Sequence, residues 1–189
     1  FSTYPFVIDF IKNLPVVEKR EVFLLSSMGG SCFGMPEPFR KLLVEKGYNP
    51  IGCCVLKMPS NYGKSSDAKS LSNQNIVKAA TSKAANFAGY LLTGKAKWEK
   101  KFAPLANFFF KFTQTRKPWN FFRSIYTLRI NQNFCTKCGF CYSICPNEAI
   151  SKDENGYLIT EKCVSCQHCA AFCPENAINM SEDHSETYK

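Results

Sequence analysis

The chain has 189 residues, enough for one ordinary domain or two small ones, and its 45% hydrophobic and 21% charged residues exclude wholesale disorder. Its 24 Lys and Arg outnumber 15 Asp and Glu, giving a formal net charge of +9. No apolar run approaches the roughly 18 residues that a membrane-spanning helix needs. These figures indicate a folded protein without a membrane span.

Charge and cysteine are both distributed unevenly along the chain. Residues 1–129 hold 20 Lys and Arg against 7 Asp and Glu, whereas residues 130–189 hold 4 against 8. A basic part joined to an acidic part indicates two modules with different partners. Eight of the eleven cysteines lie within residues 135–173. An odd total clustered in this way favours metal ligation in a reducing compartment over a secreted disulfide framework, so we expect a cytoplasmic protein.

Residues 1–94 alternate between helical and strand patterns. The predicted elements are a helix opening at Pro5 and capped by Ser2 or Thr3, a strand over 21–26, a helix from Pro36 to Gly47, a strand over 51–56 and a helix over 76–91. Both strands are continuous apolar runs, the pattern of strands buried on both faces. This order predicts an α/β fold with a parallel sheet. Because two strands cannot hide their own edges, we expect the back part of a doubly wound domain, truncated at its N-terminus.

Residues 95–130 have a composition of their own. Nine basic residues stand against the single acid Glu99, and ten aromatic residues are interleaved with them. Nucleic-acid sites and helices on a membrane surface have this composition, but so do connectors whose aromatics pack while their lysines stay solvated. No nucleic-acid motif accompanies the charge, so we favour a connector and leave peripheral membrane contact open.

The chemistry lies in a duplicated cysteine motif. Cys135-x2-Cys138-x2-Cys141-x3-Cys145-Pro146 recurs 28 residues later as Cys163-x2-Cys166-x2-Cys169-x3-Cys173-Pro174. A zinc site usually takes two Cys-x2-Cys pairs that are a dozen or more residues apart. Three cysteines at three-residue steps instead let one tight loop surround a cubane, and the fourth lies on the following turn. The spacing therefore predicts two [4Fe–4S] clusters rather than zinc or disulfides.

Residues 131–182 resemble a bacterial two-cluster ferredoxin domain, a small α+β fold. The resemblance implies two ligand sets: Cys135, Cys138, Cys141 and Cys173 for one cluster, and Cys163, Cys166, Cys169 and Cys145 for the other. The expected hydrophobic shield consists of Phe134, Ile144, Ile150, Tyr157, Phe172 and Ile178. Gly139 in the first loop is replaced by Gln167 in the second, so we expect the two cluster environments to differ. His168 is expected to face solvent.

Residues 1–62 resemble the C-terminal part of a flavodoxin-like domain, as found fused to ferredoxin domains in anaerobic prokaryotes. The resemblance implies that two loops flank the isoalloxazine ring of FMN: Thr3 and Tyr4 in one, and Ser27, Met28, Gly29 and Gly30 in the other. The family's phosphate loop has no counterpart in this sequence. We therefore expect two clusters but little or no FMN in this chain, and we leave FMN binding by the full-length protein open.

The predicted organisation is a partial flavodoxin-like domain over 1–94, the connector over 95–130, a ferredoxin domain over 131–182 and a tail over 183–189. The leading functional hypothesis is an electron-transfer protein that passes single electrons through two clusters, to or from a flavin and redox partner proteins. One alternative is a flavin-dependent reductase. The other is a binding module with structural or sensory clusters. No catalytic acid, base or nucleophile stands out, and only two histidines are present.

Overall fold

The computed structural model describes residues 3–30, 35–60, 70–98, 108, 110–112 and 115–180. The chain forms two compact units, Phe1–Pro59 with Lys69–Trp119 and Ser60–Ala68 with Asn120–Lys189. No helix of the described residues is both long enough and apolar enough to cross a membrane. The domain boundaries expected from the sequence stay predictions, and the tail over 183–189 lies outside the described residues.

The first unit alternates helices and strands in the predicted order. Its elements are α1 (Pro5–Asn13), β1 (Glu21–Met28), α2 (Pro36–Glu45), β2 (Asn49–Lys57) and α3 (Leu71–Leu92). The last helix begins earlier than its apolar stripe predicts, because the Ser70 hydroxyl caps it by accepting a hydrogen bond from the backbone N–H of Asn73 at 3.3 Å. Gly47 follows α2 in a left-handed conformation, and any Cβ there would overlap the carbonyl oxygen of Val17.

The parallel strands β1 and β2 form a two-stranded sheet with helices on both faces. Val22 and Leu24 of β1 pack against a buried cluster from α1 and α2, whose members are Ile8, Ile11, Met35, Phe39 and Leu43. Successive side chains of a strand point to opposite faces. Phe23 accordingly meets Phe87 of α3, edge to face, with ring centroids 6.0 Å apart. This helix–sheet–helix layering is the α/β arrangement that the sequence predicts.

The expectation that β1 is buried on both faces is wrong. Exposed and half-buried residues alternate along the strand, and Phe23 and Leu25 keep 50% and 49% of their surface. The reason is that, among the described residues, β1 pairs only with β2, and α3 packs mainly on β2. A continuous apolar run predicts burial of a strand on both faces only when the strand has a neighbouring strand on each side.

The start of α1 also differs from its prediction. The N-cap is Tyr4, which makes no side-chain capping bond, so Thr3 is not the cap, and Ser2 lies outside the described residues. Phe10 is 65% exposed although its spacing suggested an inward position. Ile8 and Ile11 face the core instead, because they lie three residues apart on one side of the helix.

Part of the predicted connector packs into the first unit. Trp98 contacts the cluster of α1 and α2, and Phe110 meets Phe39 edge to face at 5.8 Å between ring centroids. A further helix, α4 (Arg116–Ile125), follows. Residues 99–107, 109, 113 and 114 of this segment lie outside the described residues. Trp98 and Phe110 of this segment therefore pack within the first unit, and the connector role stays a prediction.

The second unit is a small α+β arrangement. Its elements are β3 (Arg129–Ile130), α5 (Phe140–Ile144), β4 (Ile150–Lys152), β5 (Tyr157–Ile159), α6 (His168–Ala171) and β6 (Ile178–Asn179). Antiparallel pairs join β3 to β6 and β4 to β5. Leu128, Ile150, Tyr157, Ala170 and Ile178 form the core with the buried Cys169. The two short helices α5 and α6 contact each other within this unit, and each of them begins inside one of the two cysteine motifs.

Candidate iron–sulfur site

The sequence duplication is a duplication of backbone geometry. Three pairs of residues that lie 28 positions apart share a positive φ: Lys137 with Ser165, Gly139 with Gln167, and Glu148 with Asn176. Within each cysteine loop, the left-handed residues are the second and the fourth residue after the first cysteine. Backbone in a turn conformation with left-handed residues can form the concavities that are common at iron–sulfur sites. The loops are therefore shaped as two cradles of the same kind.

The first cradle opens onto a cavity that four cysteines line. Cys135, Cys138 and Cys141 come from the first loop, and Cys173 comes from the end of the second repeat. Ile130, Tyr157 and Ile178 supply part of the apolar wall. Three thiols thus come from one repeat and the fourth from the other.

The second cavity is built in the same way. Cys163, Cys166 and Cys169 come from the second loop, and Cys145 comes from the end of the first repeat. Leu128, Ile150 and Ile159 form part of the wall. The cysteines therefore line the two cavities in the same sets that the ferredoxin resemblance implied.

The arrangement of the thiols fits an iron–sulfur cluster. Four cysteines line each cavity, and four thiols distributed around a cavity can ligate an inorganic core that lies between them. Among the residues that the structure describes, no three His, Cys, Asp or Glu side chains form a group that could hold one metal ion.

The fourth cysteine of each repeat is oriented by a residue that the sequence analysis did not single out. The backbone N–H of Ala149 donates to the Sγ of Cys145 at 3.2 Å, and that of Ala177 donates to the Sγ of Cys173 at 3.3 Å. Both alanines are buried, with 2% and 1% of their surface exposed. The signal was available, since the pairs Ala149-Ile150 and Ala177-Ile178 lie 28 residues apart and belong to the sequence repeat.

Residues 128–180 match the family model described as a 4Fe-4S dicluster domain. This part of the chain is a ferredoxin-like iron–sulfur domain, and its chemistry is iron–sulfur electron transfer. No curated protein matches the chain. The matched region begins before residue 131, where the sequence analysis placed the boundary, and the structure gives the reason. Leu128 is buried in the core of the domain, and Arg129 and Ile130 pair with β6.

Electrostatics in the ferredoxin-like domain favour neutral thiols until a cluster binds. Burial, with smaller contributions from Cys166, Cys163, Cys145 and Cys141, raises the pKa of Cys169 to about 12. Burial also raises the pKa of Cys141 and Cys166, although backbone N–H groups partly oppose this effect. Because only the thiolate ligates iron, cluster assembly has to release these protons.

The two loops of the ferredoxin-like domain differ in their side chains and share their backbone conformation. Gln167 adopts the left-handed conformation of Gly139, with φ values of +62° and +78°. Its buried side chain donates to the Sδ of Met180 at 3.3 Å. A Cβ at Gly139 would lie 2.8 Å from the Oη of Tyr157. The two loops thus differ in what covers each of them.

The expected hydrophobic shield is only partly present. Ile150, Tyr157 and Ile178 are buried, whereas Phe134 and Phe172 keep 47% and 56% of their surface and belong to no buried core. His168 is exposed, as expected, and its ring meets that of Phe172 at 5.0 Å. A small core has room for few large side chains, so these aromatics remain at the surface.

The remaining candidate residues lie in the first unit. Thr3 and Tyr4 precede α1 and are half-buried, and the Tyr4 ring meets that of Trp119 edge to face at 6.2 Å. The other loop has Ser27, Gly29 and Gly30 exposed, and Met28 packs toward the core. A Cβ on Gly30 would meet nothing within 4 Å, so that this side of the loop is open. Cys53 and Cys54 lie in β2, and Cys32 lies outside the described residues.

Proposed function

We propose that this chain is an electron-transfer protein that holds two [4Fe–4S] clusters with crossed ligands. Cys135, Cys138, Cys141 and Cys173 would hold one cluster, and Cys163, Cys166, Cys169 and Cys145 the other. The observation that carries the proposal is the pair of cavities, each lined by one of these sets. When bound, such a cluster accepts and releases one electron at a time.

The residues around each cavity support that role by fixing the thiolates and tuning their charge. The backbone N–H groups of Ala149, Ala177 and Ser165 donate to the Sγ atoms of Cys145, Cys173 and Cys163. Hydrogen bonds to ligand sulfur stabilise negative charge, and they raise the reduction potential of a cluster. Apolar side chains line both cavities beside the remaining thiols, and Cys169 is buried among them.

The short helices offer a path between the clusters. Cys141 lies in α5 and lines the first cavity, while Cys145 directly follows that helix and lines the second. In the same way Cys169 lies in α6 and lines the second cavity, and Cys173 lines the first. In each repeat, one turn of chain therefore connects a cysteine of one ligand set to a cysteine of the other. These two short connections support a relay between two sites.

A flavin is the proposed redox partner within the complete protein. The parallel strands with helices on both faces support a flavodoxin-like origin for the first unit, and the exposed Gly29 and Gly30 leave room beside the loop after β1. FMN binding needs charge-assisted hydrogen bonds to its phosphate. Without a recognisable phosphate loop, this chain should bind the ring weakly.

Anaerobic reconstitution with iron, sulfide and excess FMN, followed by desalting, tests both claims. We expect about eight iron atoms per chain, a similar amount of acid-labile sulfide and little flavin. One-electron reduction should give the electron paramagnetic resonance signals of reduced [4Fe–4S] clusters. Four iron atoms or fewer would contradict the two-cluster assignment, whereas near-equimolar flavin would contradict only the flavin claim.

A further inference from the structure

The two cavities differ in how closely their cysteines approach solvent. Cys138 of the first set is exposed, whereas Cys169 of the second set is buried and its three companions are half-buried. An electron leaves a protein most readily where its cofactor lies nearest the surface, because transfer rates fall steeply with distance. If the clusters are bound as proposed above, the first one has the shorter route out.

Comparison of the repeats shows that the surface beside Cys138 is specialised. Three aromatic residues of the first repeat have non-aromatic or smaller counterparts 28 residues later: Phe134 corresponds to Lys162, Phe140 to His168 and Tyr142 to Ala170. The loop backbones are alike, and the second repeat folds without these aromatics. The loop geometry therefore does not require them.

Phe140 lies at the first cavity, Tyr142 contacts a residue that lines it, and Phe134 directly precedes Cys135 in the sequence. Phe140 lines that cavity beside Cys138 and is 46% exposed. Tyr142 is 56% exposed and lies against Tyr157, with ring centroids 6.1 Å apart, and Tyr157 lines the same cavity. Exposed aromatic residues of this kind are typical of the centres of protein interfaces. We call Phe134, Cys138, Phe140 and Tyr142 the first-loop face.

The charge of the surrounding domain indicates the kind of partner. Residues 131–180 carry five acidic and three basic side chains, all of them exposed. Four thiolates around a core of about +2 add further negative charge close to the first-loop face. A partner with a positively charged rim would be attracted to this surface.

We propose that the first-loop face is the docking surface for a redox protein whose apolar cofactor edge is ringed by Lys and Arg. The proposal rests on the function proposed above. Phe140 and Tyr142 supply the apolar centre of the contact, Cys138 brings the first cluster within reach, and the negative charge of the domain orients the partner. One electron then passes from the reduced cluster to the oxidised cofactor of the partner.

Ferric cytochrome c, whose exposed haem edge is ringed by lysines, is a suitable probe at low ionic strength. Binding is measured by calorimetry with both proteins oxidised, so that the readout is independent of electron transfer. We expect Phe140→Ala and Tyr142→Ala each to raise Kd by about fivefold or more, the effect of losing an interface hot spot. Phe172→Ala is the matched control, because Phe172 is as exposed as Tyr142 but its ring contacts His168 of the second loop.

Iron content and reduction by a small viologen are measured on every variant. Both should stay unchanged in Tyr142→Ala and Phe172→Ala, because neither residue lines a cavity and a viologen needs no docking surface. Unchanged Kd values for the two first-loop variants, an equal effect of Phe172→Ala, or no binding of cytochrome c by the loaded chain would each overturn the docking surface and leave the proposed function intact. A chain that takes up no clusters would overturn both.

Discussion

Gly139 and Gln167 occupy equivalent positions in the two repeats, and both have a left-handed backbone. Glycine adopts this conformation freely, whereas other residues adopt it at a cost of about 1 kcal/mol or more. The presence of Gln167 shows that the fold tolerates this cost. What distinguishes Gly139 is the Tyr157 hydroxyl oxygen, which would lie 2.8 Å from a Cβ at that position.

Gly139→Ala should therefore lower the free energy of unfolding of the iron-loaded chain by about 1–2 kcal/mol. The backbone and the overlap with Tyr157 both contribute. Loss of cluster absorbance in denaturant measures the effect. Tyr157→Phe removes the overlapping oxygen. In that background, Gly139→Ala should therefore lower the free energy of unfolding by less than it does when Tyr157 is present. If Gly139→Ala lowers it equally in both backgrounds, the hydroxyl is not the cause.

At the residue scale, the cysteines were predictable and their orienting groups were not. The candidate ligands follow from spacing along a short stretch, because one loop places Cys135, Cys138 and Cys141 without help from distant residues. The hydrogen bonds from Ala149 and Ala177 depend on how the chain turns after Pro146 and Pro174, which sequence spacing alone does not describe. The repeated Ala-Ile pair identified these two alanines in the sequence, but it did not indicate that their backbone N–H groups donate to cysteine sulfur.

At the scale of elements, β1 combines a well-packed face with an open one. Val22 and Leu24 pack against the helices of the first unit, while Phe23 and Leu25 remain about half exposed. The order of elements could be read from hydrophobic periodicity, since each helix and strand is defined locally. Burial of β1 could not, because it depends on how many strands lie beside it.

The open face and edge of β1 should promote self-association. We expect Leu25→Lys to lower association of the full chain, because a charge on an edge strand opposes pairing with another strand. Analytical ultracentrifugation over a range of concentrations measures it. Phe121→Lys is the control, since Phe121 is a 66% exposed aromatic that lies in α4 and not in the sheet. Residues 1–94 expressed alone should likewise associate more readily than residues 131–182, and a monodisperse fragment would contradict this.

At the scale of the whole molecule, the uneven charge corresponds to two units with different chemistry. The acidic part contains the ferredoxin-like domain, and the basic part contains the parallel strands. The ferredoxin-like domain could be predicted because eight cysteines in a repeat restrict the possible folds severely. The first unit carries no such constraint, so its proposed relation to flavodoxins rests on the order of elements and on two short loops.

The central claim is that each cluster takes its fourth ligand from the other repeat. Two double variants separate crossed from uncrossed ligation. Cys145→Ala with Cys163→Ala removes two ligands of one crossed set, whereas Cys145→Ala with Cys138→Ala removes one ligand from each crossed set. If every repeat held its own cluster, the first double variant would instead remove one ligand from each cluster, and the second would remove two ligands from one cluster.

The decisive measurement is the number of iron atoms in intact [4Fe–4S] clusters after reconstitution, read by chemical analysis together with electron paramagnetic resonance. Crossed ligation predicts that Cys145→Ala with Cys163→Ala keeps one intact cluster with about four iron atoms, because Cys135, Cys138, Cys141 and Cys173 are untouched. It predicts that Cys145→Ala with Cys138→Ala keeps no intact cluster. One intact cluster in the second variant and none in the first would contradict the account.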